Sequence, residues 1–168
     1  MKDWYWTRIP WREWGVTLVV TPEGLDAVLF DREAQAREWP PERALPLSDY
    51  RRPFEAYFSG RPVSWNIPLT SRGTAFQRRV WTALQGVPPG TVLSYGALAA
   101  RLGRPEAVRA VARAVAANPW PIVIPCHRVV GSAGQLVGYQ GGLRLKAALL
   151  ALEGAPAMHP QGHARFQF

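Results

Sequence analysis

Glycine and proline divide this chain into segments that are too short for long helices. Of its 168 residues, 16 are proline and 15 are glycine. Proline ends or kinks a helix because it has no backbone N–H and clashes with the preceding turn. From residue 48 onward each periodic stretch meets such a residue, at Gly60, Gly86, Gly103, Asn118-Pro119 and Gly154. The chain is therefore predicted to fold from short elements, in one large domain or two small ones.

The beginning of the chain is predicted to form a small sheet. Residues 15–20 are rich in β-branched side chains, which favour strands. The turn signal at residues 21–24 lets residues 27–30 return as the second arm of a hairpin.

A helix is predicted between Ser48, its N-cap, and Gly60, where it ends. Aromatic side chains at helical spacing form its core face: Tyr50, Phe54, Tyr57 and Phe58. The helix follows a proline-rich stretch at residues 40–46 that includes Pro40, Pro41 and Pro46. Residues 61–72 are predicted to be a linker with one extended piece over 63–69.

Three further helices are predicted between residues 74 and 119. The first begins at Thr74, and its core face holds Phe76, Val80, Trp81 and Leu84. The second runs from Tyr95 to Leu102 behind the N-cap Ser94, and the third has Pro105 in its first turn. Because only Gly103-Arg104 separates the last two helices, the pair resembles a helix-turn-helix.

The segment after these helices is predicted to hold a buried strand, a loop and a last helix. Residues 121–125 are apolar, rich in β-branched side chains and too few for a helix, which favours a strand. Glycines mark a loop over residues 131–142, and residues 143–152 are predicted to be helical. The tail, residues 155–168, is predicted to be loosely ordered.

Positive charge is concentrated in the middle of the chain. The whole sequence carries a net charge of +8, and residues 71–131 alone hold eight arginines and one acidic residue, Glu106. This pattern is expected of a surface that binds nucleic acid. A basic surface that only aids solubility would give the same pattern.

The third helix of this segment has an apolar side and a small, positive side. At 100° per residue, its core side comprises Val108, Val111, Ala112 and Val115. The outward side comprises Arg109, Ala110, Arg113, Ala114 and Ala117. Small side chains let a helix approach DNA closely, and arginines meet phosphates or enter a groove, so we predict sequence-tolerant DNA binding. The high helix propensity of alanine is an alternative explanation.

Composition excludes several classes of protein. No apolar run approaches the roughly 18 residues needed to cross a bilayer, and the N-terminus lacks the apolar segment of a signal peptide. A cytoplasmic protein with no membrane partner is therefore predicted. The single cysteine, Cys126, rules out an intramolecular disulfide and disfavours a cysteine-built zinc site.

Cys126 lies beside His127 and Arg128, and cationic neighbours lower the pKa of a thiol. Adjacent side chains on a strand point to opposite faces, so contact between Cys126 and His127 requires a turn or a bridging water. A buried structural cysteine with a chance histidine neighbour is the alternative, since unpaired cysteines are often buried.

Residues 124–130, Ile-Pro-Cys-His-Arg-Val-Val, resemble the active-site signature of the O6-alkylguanine-DNA alkyltransferases. Other motifs of that family recur in order and at matching spacing: Gly73-Thr74, Phe76-Gln77, Val80-Trp81, Ser94-Tyr95, Arg109-Ala110-Val111, Asn118-Pro119, Tyr139, Gly141-Gly142-Leu143 and Glu153-Gly154. The resemblance covers about residues 50–154. It is weaker before them, where only the sheet-and-helix layout agrees.

The resemblance implies a fold and an activity. Residues 1–70 would form a small α/β domain, ribonuclease H-like, with a linker. Residues 71–154 would form a mostly α domain with a helix-turn-helix, which binds DNA and carries the active site, before the tail at 155–168. The family binds the DNA minor groove, flips out the damaged nucleotide and moves its alkyl group from O6-alkylguanine to a cysteine. The protein would act once on double-stranded DNA, as a monomer, with no metal or cofactor; repair of O4-alkylthymine is left open.

The resemblance also suggests a role for each catalytic position. Cys126 would be the nucleophile, linked through a water to His127, which Glu153 orients and charges. Tyr95 would assist nucleotide rotation and hydrogen-bond guanine, so that the base leaves neutral. Asn118 would tie together the turns around the site.

Substrate and DNA contacts follow from the same match. The backbone carbonyls of Cys126 and Val129 would receive the exocyclic amine of guanine, and the N–H of Gln140 would face its oxygen, in a pocket shared with Tyr139. Arg109 would fill the gap left by the flipped base. The remaining DNA-binding positions would be Ala110, Arg113, Ala114 and Arg128. The family often has smaller residues at the positions of Gln140 and Trp120, a departure that bears on the size of the pocket.

Two other functions fit parts of the sequence. A lesion sensor or other DNA-binding module would use the helix-turn-helix and would need no reactive thiol. A Cys-His hydrolase would turn over repeatedly and would need an oxyanion hole. Cys126 argues against the branch of the family that has tryptophan at the nucleophile position and only binds lesions.

Overall fold

A computed structural model of the chain describes residues 3–39 and 47–156, in two units, Met1–Ser71 and Arg72–Phe168. The proline-rich stretch at 40–46 and residues 157–168 of the predicted tail lie outside the described residues. Within the described ranges, no helix is both long and apolar enough to span a membrane.

The first unit is built on a three-stranded antiparallel sheet with the order β1-β2-β3. Its strands are β1 (Tyr5–Trp11), β2 (Trp14–Thr21) and β3 (Gly24–Phe30). The predicted hairpin is formed by β2 and β3, where Thr21 pairs with Gly24 across a two-residue turn. The sequence did not predict β1, in which the alternate residues Thr7, Ile9 and Trp11 are buried.

Two helices follow the sheet, α1 (Asp31–Gln35) and α2 (Ser48–Phe58). The predicted core face of α2 is confirmed at Phe54 and Tyr57, which are buried. The N-cap is Leu47 and not Ser48, which is already helical, and no side chain caps this end. In the linker, Leu69 bridges Leu25 of the sheet as an isolated β-bridge.

The second unit is mainly helical, as predicted, and two of its helices begin at side-chain caps. Its elements are α3 (Ala75–Gln85), β4 (Leu93–Ser94), α4 (Tyr95–Arg101), α5 (Val108–Ala116), β5 (Val129–Val130) and α6 (Leu143–Leu152). Thr74 and Gln77 form a reciprocal capping box at α3, with hydrogen bonds of 3.1 and 2.9 Å. Ser94 Oγ accepts the Ala97 N–H at 3.0 Å at the start of α4.

Two elements of this unit differ from the sequence prediction. The prediction that Pro105 lies in the first turn of α5 is wrong, because α5 begins at Val108, after a turn closed by the Ala107 N–H on the Arg104 carbonyl at 2.9 Å. Residues 121–125 are not a strand but a buried turn, closed by the Ile124 N–H on the Trp120 carbonyl at 2.9 Å. The prolines at both ends of this segment cannot donate to a strand ladder, which favours the turn.

Candidate active site

Cys126 begins a short 3-10 helix, Cys126–Arg128, that leads into β5. The preceding buried turn fixes its backbone, since the Cys126 N–H donates to the Ile124 carbonyl at 2.8 Å. Pairing of β5 with β4 then sets Ser94 opposite Val130, which brings the start of α4 to the cysteine. The thiol is buried, with 5% of the residue exposed.

A buried ion-pair network lies behind the cysteine. Glu153 Oε2 is 2.9 Å from His127 Nε2 and 2.6 Å from Arg128 Nη2, and Arg128 Nε donates to Glu153 Oε1 at 2.9 Å. Burial alone would raise the pKa of Glu153, but these hydrogen bonds lower it to about 2. Arg128 also donates from Nη1 to the Val87 carbonyl at 2.5 Å. Glu153 therefore stays a carboxylate and holds both the Arg128 guanidinium and the His127 ring in place.

Two residues predicted to contact DNA do not lie on an exposed surface. Arg128 is buried, and its guanidinium donates hydrogen bonds to the Glu153 carboxylate and to the Val87 carbonyl. Ala114 is 3% exposed, and its carbonyl accepts the Trp81 indole N–H at 2.8 Å. Helical spacing predicts that Ala114 points outward, but in the structure this side of α5 packs against α3. The DNA-binding assignments of Arg128 and Ala114 are therefore corrected.

A cavity of about 460 Å³ opens beside Cys126. Its lining residues are Tyr95, Arg109, Ala112, Arg113, Val115, Ala116, Cys126, Gly138, Tyr139 and Gln140. Most of the wall is apolar or small, while Arg109 and Arg113 are exposed. The cavity thus brings together six of the predicted catalytic, substrate-binding and DNA-binding residues: Tyr95, Arg109, Arg113, Cys126, Tyr139 and Gln140. Ala110, half-buried on α5, is not among the lining residues.

Asn118 supports the turn that carries the thiol. Its Nδ2 donates to the Ile124 carbonyl at 2.8 Å, and its Oδ1 accepts the Trp120 N–H at 2.9 Å. Burial raises the pKa of Cys126, and the side chain of Asn118 and the charge of Lys146 oppose that shift. The thiol therefore needs a base that removes its proton.

His127 is fully buried and lies next to that thiol in sequence. Burial lowers the pKa of His127, and the Glu153 carboxylate opposes this shift. Its Nε2 faces Glu153, whereas its Nδ1 is buried with no hydrogen-bond partner among the described residues. Buried polar atoms are almost always satisfied, if necessary by water. With the ring neutral and its proton on Nε2 toward Glu153, Nδ1 is an acceptor without a partner among the described residues.

Lys146 is a site residue that the sequence analysis missed. It is fully buried on α6, and its Nζ donates to the carbonyls of Val129, Val137 and Gly138 at 2.6, 2.9 and 3.4 Å. Burial lowers the pKa of Lys146 to about 8, although the nearby Cys126 opposes the shift. Its position in the sequence indicates its burial, because residues three apart lie on the same face of a helix and Leu149 of α6 faces the core.

Val129 and Tyr95 are the two remaining positions with a predicted substrate contact. The Val129 carbonyl already accepts from Lys146 and keeps one further lone pair. Tyr95 is 6% exposed and lines the cavity. Burial, and then the charge of Cys126, raise the pKa of Tyr95 to about 12, so its hydroxyl is a donor at neutral pH. Among the described residues, no cluster of three or more histidine, cysteine, aspartate or glutamate side chains could hold a metal ion.

Residues 75–155 match the family model described as the DNA-binding domain of 6-O-methylguanine DNA methyltransferase. A methylated-DNA–protein-cysteine methyltransferase of Haemophilus influenzae is 40% identical over 156 residues, which cover 90% of this chain and 87% of that protein. A protein of the same name from Mycolicibacterium paratuberculosis is 54% identical over 98 residues, 58% of this chain and 59% of that protein. The crystal structure of Mycobacterium tuberculosis OGT in complex with DNA superimposes with a TM-score of 0.80 at 38% identity, covering 91% of this chain and 96% of that one.

Proposed function

This chain belongs to the family of methylated-DNA–protein-cysteine methyltransferases, and we propose that it repairs DNA by moving an alkyl group from guanine O6 to Cys126. The observation that carries this proposal is the position of the thiol. Cys126 lines a mostly apolar cavity that Tyr95 and the exposed Arg109 also line. A cavity of about 460 Å³ is within the range of small-molecule sites, as a flipped base requires.

We further propose that α4 and α5 act as a helix-turn-helix on the minor groove of double-stranded DNA. The seven arginines of residues 71–131 other than Arg128 are exposed, and they supply the charge that phosphates attract. Arg109 fills the space of the flipped nucleotide, while Ala110 and Arg113 accompany it at the groove. The first unit corresponds to the family's small α/β domain, ribonuclease H-like, and the protein acts as a monomer.

The chemistry starts with a proton transfer. Nε2–H of His127 donates to Glu153, so Nδ1 is the basic nitrogen, and a water bridges it to the Cys126 thiol. The thiolate sulfur then bonds to the alkyl carbon as the carbon–oxygen bond breaks. The electron pair stays on the guanine base, which leaves neutral when it takes a proton from the Tyr95 hydroxyl. Tyr95 regains a proton from water, and His127 releases to water the proton that it took from the thiol, so both side chains return to their neutral forms. The thioether resists water and thiols, so each molecule acts once.

The number of guanines repaired per protein molecule distinguishes this single-turnover mechanism from that of a hydrolase. With duplex DNA containing O6-methylguanine in tenfold excess, we expect a burst of one equivalent of repaired guanine per protein and no steady state afterwards. Repaired guanine is measured by chromatography of the digested DNA. Continued turnover would indicate a Cys-His hydrolase, and bound but unrepaired DNA would indicate a lesion sensor.

Arg109→Ala is expected to slow repair of duplex DNA by about tenfold or more, because base extrusion costs a few kcal/mol. Transfer from free O6-methylguanine, a base outside DNA, should be much less affected, since that substrate needs no extrusion. Single-turnover rates on both substrates measure the difference. Arg52→Ala, an exposed arginine of the first unit, serves as the control. Equal losses on both substrates would contradict the role of Arg109 in extrusion.

A further inference from the structure

A side chain joins two walls of the cavity. Gln140, in the loop between β5 and α6, donates from Nε2 to the backbone carbonyl of Ala116 at the end of α5. Both residues line the cavity. The hydrogen bond lies on the exposed side, whereas Cys126 is buried. The Gln140 side chain therefore spans the outer part of the cavity and leaves the thiol below it.

This hydrogen bond completes the end of a helix. The last carbonyls of a helix have no partner within it and need other donors. In α5 the Arg113 carbonyl accepts the Ala117 N–H at 3.0 Å, and the Val115 carbonyl accepts the Asn118 N–H at 3.2 Å. The amide of Gln140 supplies the donor for the next carbonyl, that of Ala116. A glutamate or an aliphatic side chain at position 140 could not donate it.

The loop that carries Gln140 has glycines on both sides. Gly138 has a φ of 40° and Gly142 a φ of 89°, values that a residue with a side chain rarely adopts. Between them, Tyr139 and Gln140 line the cavity, as do the small residues Ala112 and Ala116 of α5. The hydrogen bond between Gln140 and Ala116 therefore links the loop to α5 across the cavity lining.

We propose that the Gln140 side chain is a tether that sets the width of the cavity and so restricts the size of the alkyl group accepted. The proposal rests on the alkyl transfer proposed above. With the tether closed, the wall at Tyr139 is held close to α5 and methyl groups are favoured over bulky aromatic ones. Without the tether, the loop moves outward and bulky groups gain access.

The test compares single-turnover rates on two duplexes of the same sequence, one with O6-methylguanine and one with O6-benzylguanine. The readout is the benzyl-to-methyl rate ratio, because every variant keeps the backbone N–H of residue 140. We expect Gln140→Ala and Gln140→Leu to raise this ratio about fivefold or more. Gln140→Glu should raise it as well, since a carboxylate cannot donate to the carbonyl. Gln85→Ala, an exposed glutamine on α3, should leave the ratio at the wild-type value.

The three variants distinguish the effect of the hydrogen bond from the effect of side-chain volume. If only Gln140→Ala raises the ratio while the leucine and glutamate variants match wild type, side-chain volume is responsible and the tether is overturned. An unchanged ratio in all three variants would overturn it too. Absence of any transfer by the wild-type protein would instead refute the proposed function, so the two failures are distinguishable.

Discussion

Glu153→Ala is expected to lower the free energy of unfolding by about 3–5 kcal/mol, because it leaves the buried Arg128 guanidinium without its counter-charge. The carboxylate receives two hydrogen bonds from Arg128 and faces His127, with 2% of its side chain exposed. The rate of alkyl transfer should also fall in this variant, since His127 loses the partner that holds its Nε2. Denaturant unfolding at pH 7 and single-turnover repair rates measure the two effects.

Glu106 offers a matched control within the same unit. It forms an ion pair with Arg104 at 3.1 Å, but its side chain is 68% exposed. Glu106→Ala should therefore leave both the free energy of unfolding and the repair rate close to the wild-type values, since water screens an exposed ion pair. Glu153→Gln keeps the shape of the side chain and should be intermediate in stability. A loss below about 1 kcal/mol for Glu153→Ala would contradict the role given to this network.

Lys146→Met is expected to slow alkyl transfer about tenfold or more at pH 7, through two causes. The thiolate of Cys126 loses the neighbouring positive charge that favours its ionised form. The carbonyls of Val129 and Val137 lose their common donor, and unsatisfied buried carbonyls cost about 1–3 kcal/mol each. Single-turnover rates on duplex DNA with O6-methylguanine measure the change.

The pH profile separates the charge of Lys146 from its structural contacts. Burial raises the pKa of Cys126, so the wild-type rate should climb with pH as the thiolate forms. Lys146, with a pKa of about 8, is charged below that pH and neutral above it, so the climb should flatten near pH 8. In Lys146→Met no such break is expected. A break that persists in the variant would show that another group titrates there.

The sequence could predict the elements whose ends are set by local chemistry. Thr74 with Gln77, and Ser94, cap helices through contacts within three residues, and both helices begin where the sequence placed them. The hairpin of β2 and β3 follows from a turn signal between β-branched segments. The family motifs also singled out Cys126 and Tyr95, which line the same cavity.

The remaining errors concern features that depend on contacts distant in sequence. Residues 121–125 have strand composition, but the Asn118 side chain holds the Ile124 carbonyl in a turn. Arg128 carries a charge suited to DNA, yet Glu153, 25 residues later, draws it into the interior. The position of Lys146 on the core side of α6 could be read from helical spacing, but its role could not, because its three carbonyl partners come from β5 and from a loop without regular structure.

The mass of the intact protein after exposure to duplex DNA containing O6-methylguanine tests the central claim most directly. Transfer to Cys126 predicts that each molecule gains the mass of one methylene group, that the gain maps to the peptide containing Cys126, and that Cys126→Ser abolishes it. An unchanged wild-type mass with the DNA still bound, or a gain that survives in Cys126→Ser, would contradict the account.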